Sequence, residues 1–190
     1  MTVTPPDSTA RRRNRLLLIV IVALFFGGLL LAGALRFSGW RPTHLVNKGE
    51  LLQPYGDLRR VTFAYADGRP YAWQQDGERI WRVIVPAADC GAACAPLATR
   101  VDRVWRLLGH NADQVQILWV GAYPAGAPKP DTLRLLAPSP ALLAALPRHD
   151  DPKGVPVYVM DPNGFVILRY VPDSAPADLR NDLAKLLRLM

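Results

Sequence analysis

Leu16 to Leu35, LLLIVIVALFFGGLLLAGAL, is an unbroken run without a charge. At about 1.5 Å rise per residue, a helix of this length spans about 30 Å, the thickness of bilayer hydrocarbon. Arg11, Arg12, Arg13 and Arg15 precede it, and only Arg36 and Arg41 follow closely. The denser positive cluster stays on the cytoplasmic side, which predicts export of everything C-terminal. A cleaved signal peptide is the rival reading, with Ala32-Gly33-Ala34 as a small-residue cleavage site. Cleavable apolar regions run about 7–15 residues, however, so the longer run is read as an uncleaved single-pass anchor. The expected organisation is a cytoplasmic tail over 1–15, polar and without fixed structure, and a membrane helix over 16–35. A linker over 36–56, bearing Gly, Pro and Asn without periodicity, leads to a folded domain over 57–190.

The domain reads as α/β. Leu58 to Tyr65 is strand-like, and Arg79 to Val85 is dense in β-branched and aromatic residues, as in a buried central strand. Leu97, Val101, Val104, Trp105 and Leu108 recur at spacings of three and four, one face of a helix that Gly109 stops. Val115 to Val120 is a second buried strand. Thr132 to Leu136 is a short strand or the lead-in to a helix. Ser139 caps a short helix to Leu146, with Pro140 in its first turn. Val155 to Met160 and Phe165 to Tyr170 flank the turn Asp161-Pro162-Asn163-Gly164 as an antiparallel hairpin. Ala175 to Leu189 closes the chain as a helix with a Leu179, Leu183, Leu186 and Leu187 stripe. A βαβ half followed by a hairpin and a helix is a mixed-sheet sandwich of thioredoxin type.

The formal charge is +7, partly from the N-terminal arginines. The other basic residues are scattered among acids, with no basic stripe interleaved with aromatics, so no nucleic-acid partner is expected. No phosphate loop, Ser/His/Asp arrangement or HExxH motif is present.

The chemistry concentrates in Asp89-Cys90-Gly91-Ala92-Ala93-Cys94, which holds both cysteines of the chain. The pair stands between a buried strand and a helix start. There the free N–H groups and the positive end of the helix dipole favour thiolate, which is both nucleophile and metal ligand. Asp89 opposes that effect or serves as a cap or turn acceptor. Redox exchange, metal binding and a structural bridge all remain open. A five-residue loop gains little entropy from closure, which disfavours a mere staple. His44, His110 and His149 read as solvated loop residues, and of these His149 is kept as a candidate ligand. Asp150-Asp151 reads as a solvated turn, and Trp81, Trp105 and Trp119 as core residues.

Cys90-Gly91-Ala92-Ala93-Cys94 and Tyr158-Val159-Met160-Asp161-Pro162-Asn163-Gly164 resemble two segments of the Sco/SenC group of the thioredoxin superfamily, over roughly 57–189. That group has a Cys-Pro-x-x-Cys segment after a buried strand and a Tyr-Leu-x-Asp-Pro-x-Gly hairpin. The resemblance implies a protein anchored in a bacterial inner membrane, its C-terminal domain in the periplasm, that assists cytochrome c oxidase assembly. An oxidase subunit or an assembly factor would be its partner. Gly91 stands where the group has proline, and Lys153 where it has its metal-binding histidine. Gly154-Val155-Pro156 is similar instead to the cis-proline segment of thioredoxin. These departures shift the expectation toward thiol–disulfide exchange, with Cys90 as nucleophile, Cys94 as resolving thiol and a cis Pro156 shaping the partner groove. Two alternatives are Cu(I) carriage by Cys90, Cys94 and His149, and a non-catalytic assembly module.

Overall fold

The computed structural model describes residues 8–38, 47–73, 79–88 and 91–188. Cys90, Asp89 and His44 lie outside them. The chain divides into two compact units, residues 1–45 and Val46–Met190.

The first unit is the helix α1 (Ser8–Phe37). Its stretch Arg12–Phe37 is long and apolar enough to cross a membrane. Leu16, Leu18, Phe25 and Leu30 are all exposed, so apolar side chains cover the helix all round. A helix apolar on every side can span a bilayer, since its backbone polar groups are satisfied within the helix. The helix also takes in Ser8–Arg15, which was expected to be without structure. Once the apolar run has met the cost of nucleation, each added residue gains a hydrogen bond, and arginine is a good helix former.

In the second unit, among the described residues, six strands form one sheet in the order β1-β8-β7-β4-β5-β6. These are β1 (Glu50–Asp57), β4 (Trp81–Pro86), β5 (Val115–Val120), β6 (Leu133–Leu136), β7 (Val157–Met160) and β8 (Phe165–Tyr170). The short pair β2 (Phe63–Ala64) and β3 (Pro70–Tyr71) forms a hairpin, which a Tyr65–Leu136 bridge ties to β6. The helices are α2 (Cys94–Arg106), α3 (Pro140–Ala145) and α4 (Pro176–Leu187). β4 runs parallel to β5 and antiparallel to β7, the mixed sheet expected from the sequence.

β4 and β5 are buried at every position because both of their faces are covered. Val83, Val85, Ile117, Trp119 and Val159 point into a core closed by α2 and α4. Ile84, Leu118, Val120, Tyr158 and Met160 point the other way, onto Leu58, Phe63, Leu142 and Leu146. The period-two alternation of strand side chains thus divides each apolar run between two cores.

Two boundaries differ from the sequence reading. β1 lies within the stretch expected as linker and pairs antiparallel with β8, Glu50 opposite Arg169 and Asp57 opposite Phe165. Its register shifts between Leu51 and Gly56, where Pro54 stands. Proline lacks a donor for the ladder and is confined to edges and bulges, and β1 is an edge strand. Conversely, the strand expected over 58–65 shrinks to Phe63–Ala64. Asp57 accepts from the N–H and guanidinium of Arg59 and holds a turn there, while Leu58 plugs the core with no exposure.

Local signals elsewhere act as written. Asp161 Oδ1 accepts from the N–H groups of Asn163 and Phe165, shaping the β7–β8 turn. Gly164 completes that turn at φ +93°, where a side chain would collide with the Trp73 ring. Ser139 Oγ accepts from Leu142 N at 3.1 Å at the start of α3. Ser139→Ala is therefore expected to cost about 1 kcal/mol in a chemical-denaturation midpoint of the full chain. A change near zero would mean that this cap contributes nothing.

Candidate functional site

β4 delivers the chain to Pro86, and α2 starts at Cys94 after a 3-10 turn over Gly91–Ala93. Gly91 sits at φ +50°, a conformation that glycine adopts without a Cβ clash. The start of α2 has no side-chain cap at Ala93 and no acidic residue in its first turn. Its backbone N–H groups and dipole therefore act on the adjacent sulfur rather than on a carboxylate. Leu97, Ala98, Val101 and Val104 bury the same face of the helix, and Cys94, one turn ahead of them, packs half-buried at the edge of that core. Cys94 is disulfide-bonded. The chain's other cysteine, Cys90, lies outside the described residues.

Beside this turn opens a groove of about 340 Å³. Pro86, Ala88 and Ala93 line it from the cysteine side, and Leu143 and residues of the loop before β7, His149, Asp150, Asp151, Gly154 and Val155, complete it. The fold thus brings His149 to the same groove as Ala93, although the two are far apart in sequence. His110 is exposed in a 3-10 turn after α2, away from this lining.

The Asp150-Asp151 pair divides. Asp150 is exposed, as expected of a turn, but Asp151 is not simply solvated. Its side chain is 13% exposed and accepts from Arg169, itself buried on β8. The backbone N–H of Lys153 first, and then the Arg169 guanidinium, hold the Asp151 carboxyl below its ordinary 3.8. A carboxyl depressed in the folded state contributes stability fully above its unfolded pKa. That contribution is lost only as pH falls through the lower folded value. The groove loop is therefore held across the neutral and mildly acidic range.

Lys153 is exposed in the tight turn between Asp151 and Gly154. Pro156 is buried, one residue past the groove residue Val155. The cis bond expected at Pro156 is absent; the cis X-Pro bond among the described residues is Gln53–Pro54. Pro156 leads directly into β7, and an X-Pro unit in extended backbone keeps the trans form, favoured by about 0.5–1 kcal/mol. Trp81 and Trp119 are buried and Trp105 packs on the same core, as expected.

No three His, Cys, Asp or Glu among the described residues cluster closely enough to hold a metal ion. His149 and a reduced Cys94 are donors suited to Cu(I), but the described residues do not assemble a three-ligand site. The sequence reading missed Arg169 and Glu50. Its available signal was an arginine inside the otherwise apolar strand FVILRY.

The transmembrane-like, thioredoxin-like, C-terminal domain family matches residues 81–190. Among solved structures the chain is similar to BsSco, a Sco-family cytochrome c oxidase assembly protein in which a disulfide switch was identified. Identity to BsSco is 16%, over 75% of this chain and 98% of that one, with a TM-score of 0.53. Apo Sco1 from Thermus thermophilus is 17% identical over 79% of this chain and all of its own, with a TM-score of 0.52. Copper-bound yeast Sco1 is 11% identical over 80% of this chain and 96% of its own, with a TM-score of 0.51. At these identities the likeness is one of fold, and it bears out the thioredoxin-like architecture. No curated protein matches the chain. Matched from β4 to its last residue, and with an apolar helix ahead of the domain, the chain belongs to the transmembrane-like, thioredoxin-like C-terminal domain family.

Proposed function

We propose that this chain is a membrane-anchored thiol–disulfide protein on the periplasmic side of a bacterial inner membrane. In this reading it reduces the cysteines of a copper site so that the metal can load during cytochrome c oxidase assembly. One observation carries the proposal: Cys94 opens α2 at an uncapped helix start, takes part in a disulfide, and follows directly on a residue that lines a groove. The described disulfide-switch relative shares the fold, which supports the same reading.

In the reduced protein, the Cys90 thiolate attacks one sulfur of a partner disulfide. A mixed disulfide forms, and the partner's other sulfur leaves as thiolate. Cys94 thiolate then attacks the Cys90 sulfur, releasing the partner's second thiol and closing the Cys90–Cys94 bridge. Two electrons pass to the partner, and a dithiol protein donor restores the pair. Pro156, behind Val155, shapes the groove that receives the partner.

The test is reduction of a cysteine-peptide disulfide by the reduced full-length protein in detergent, beside the double Cys→Ser variant. Turnover in the first and none in the second is expected; equal rates would remove the redox reading.

A second reading is Cu(I) carriage by Cys90 and Cys94 with His149. The presence of His149 in the groove that Ala93 lines favours it. Anaerobic Cu(I) titration separates the two. One copper per chain, lost on Cys90→Ser and weakened on His149→Ala, would favour the carrier.

A further inference from the structure

Four charged residues from three places in the sequence meet around the groove loop. Arg169, 3% exposed on β8, donates through Nη2 to Asp151 Oδ2, and its Nη1 lies 3.5 Å from Glu50 Oε2. Arg148 pairs with the other oxygen of Glu50. Tyr158, on β7, donates its hydroxyl to the carbonyl of Pro147 at 2.8 Å. The loop is thus tied at Pro147, Arg148 and Asp151, and His149 and Asp150 lie between the ties.

A guanidinium this deep carries a desolvation cost that its ion pairs must offset. Its Nε is buried without a partner. Buried ion pairs are often matched or bettered by apolar side chains of similar volume. What the arginine adds over an apolar residue is a defined position for Asp151, and through it for the loop that lines the groove.

We propose that Arg169 is a positioning residue for the exchange site: through Asp151 it fixes the 147–154 loop, so that a partner chain docks in register with the cysteines. The proposal rests on the thiol-exchange reading above. Because Arg169 does not touch the sulfurs in this scheme, it acts on docking and not on intrinsic thiol chemistry. A small thiol that needs no docking is indifferent to it, whereas a peptide thiol is not.

The experiment uses the full-length chain in detergent, as wild type, Arg169→Met, Arg169→Lys, Asp151→Asn and the double variant Arg169→Met/Asp151→Asn. The oxidised proteins are reduced by dithiothreitol and, separately, by a cysteine-bearing decapeptide. Modification of His149 by diethyl pyrocarbonate is followed by mass spectrometry. Arg169→Met is expected to slow the peptide reaction about tenfold to a hundredfold, the usual consequence of a small misplacement. The dithiothreitol rate stays unchanged and the His149 modification rate shifts. Arg169→Lys restores most of the peptide rate. Asp151→Asn reproduces the loss, and the double variant adds nothing, because the two side chains act as one unit.

A peptide rate equal to wild type in folded Arg169→Met overturns the proposal, and so does equal slowing with both thiols. If Arg169→Met does not fold, Asp151→Asn decides by the same criteria. If the wild type exchanges with neither thiol, the exchange reading fails. His149 then decides separately: an unchanged modification rate overturns the positioning role, and a changed one sustains it.

Discussion

Cys94→Ser in the full-length chain accumulates a mixed disulfide between Cys90 and a disulfide-bearing partner, and Cys90→Ser accumulates none. The asymmetry follows from the order of attack. Without Cys94 nothing resolves the first adduct, so its lifetime grows from transient to stable on the time of a non-reducing gel. Without Cys90 the thiol expected to attack first is gone, and Cys94 is half-buried against the core. The helix start favours thiolate through N–H groups and dipole, with no acidic side chain in the first turn to oppose it. Trapping by both single variants alike, or by neither, contradicts the assigned roles. The reverse asymmetry would exchange them.

Trp119→Ala is expected to destabilise the domain by about 3–5 kcal/mol, the range for removing a buried large aromatic. Trp119 has no exposure and sits on β5, between β4 and β6. Its Nε1 donates to Ala122 O at 3.1 Å, and its ring meets Tyr123 edge-on at 5.0 Å. Alanine removes the packing, leaves a void and strands the Ala122 carbonyl. Domains are typically stable by about 5–15 kcal/mol, so such a loss leaves the variant near its threshold. Guanidinium unfolding of the full chain in detergent reads the change. A loss under about 1 kcal/mol would mean that the core collapses around the missing ring, the relaxed limit of large-to-small substitution.

What could be read from the residues was whatever is written locally. The β-branched runs of β4 and β5, the Leu97–Trp105 face of α2, the Ser139 cap and the Asp161–Gly164 turn each carry their own signal, and each appears. β1 was hidden because Pro54 and Gly56 interrupt the pattern, and only pairing with β8 across more than a hundred residues makes it a strand. The start of α1 was set too late, because a basic stretch has no apolar period of its own and is carried by the helix that follows. At the site, the cysteine spacing was legible and the groove was not. Arg169 and Asp151 are eighteen residues apart, and their pairing follows from the β7–β8 hairpin rather than from a motif. The thioredoxin-like proline also misled at the level of the peptide bond, since neighbouring residue types say little about which isomer a strand entrance adopts.

The central claim is that Cys90 and Cys94 cycle between dithiol and disulfide. Its most direct measurement is redox equilibration of the full-length chain in thiol buffers of graded potential, with alkylated cysteines counted by mass spectrometry. The account predicts one reversible two-electron transition, both thiols appearing together, at a potential above about −300 mV, where exchangeable disulfides lie. A bridge that remains closed in buffers poised below about −300 mV behaves as a structural disulfide and contradicts the account.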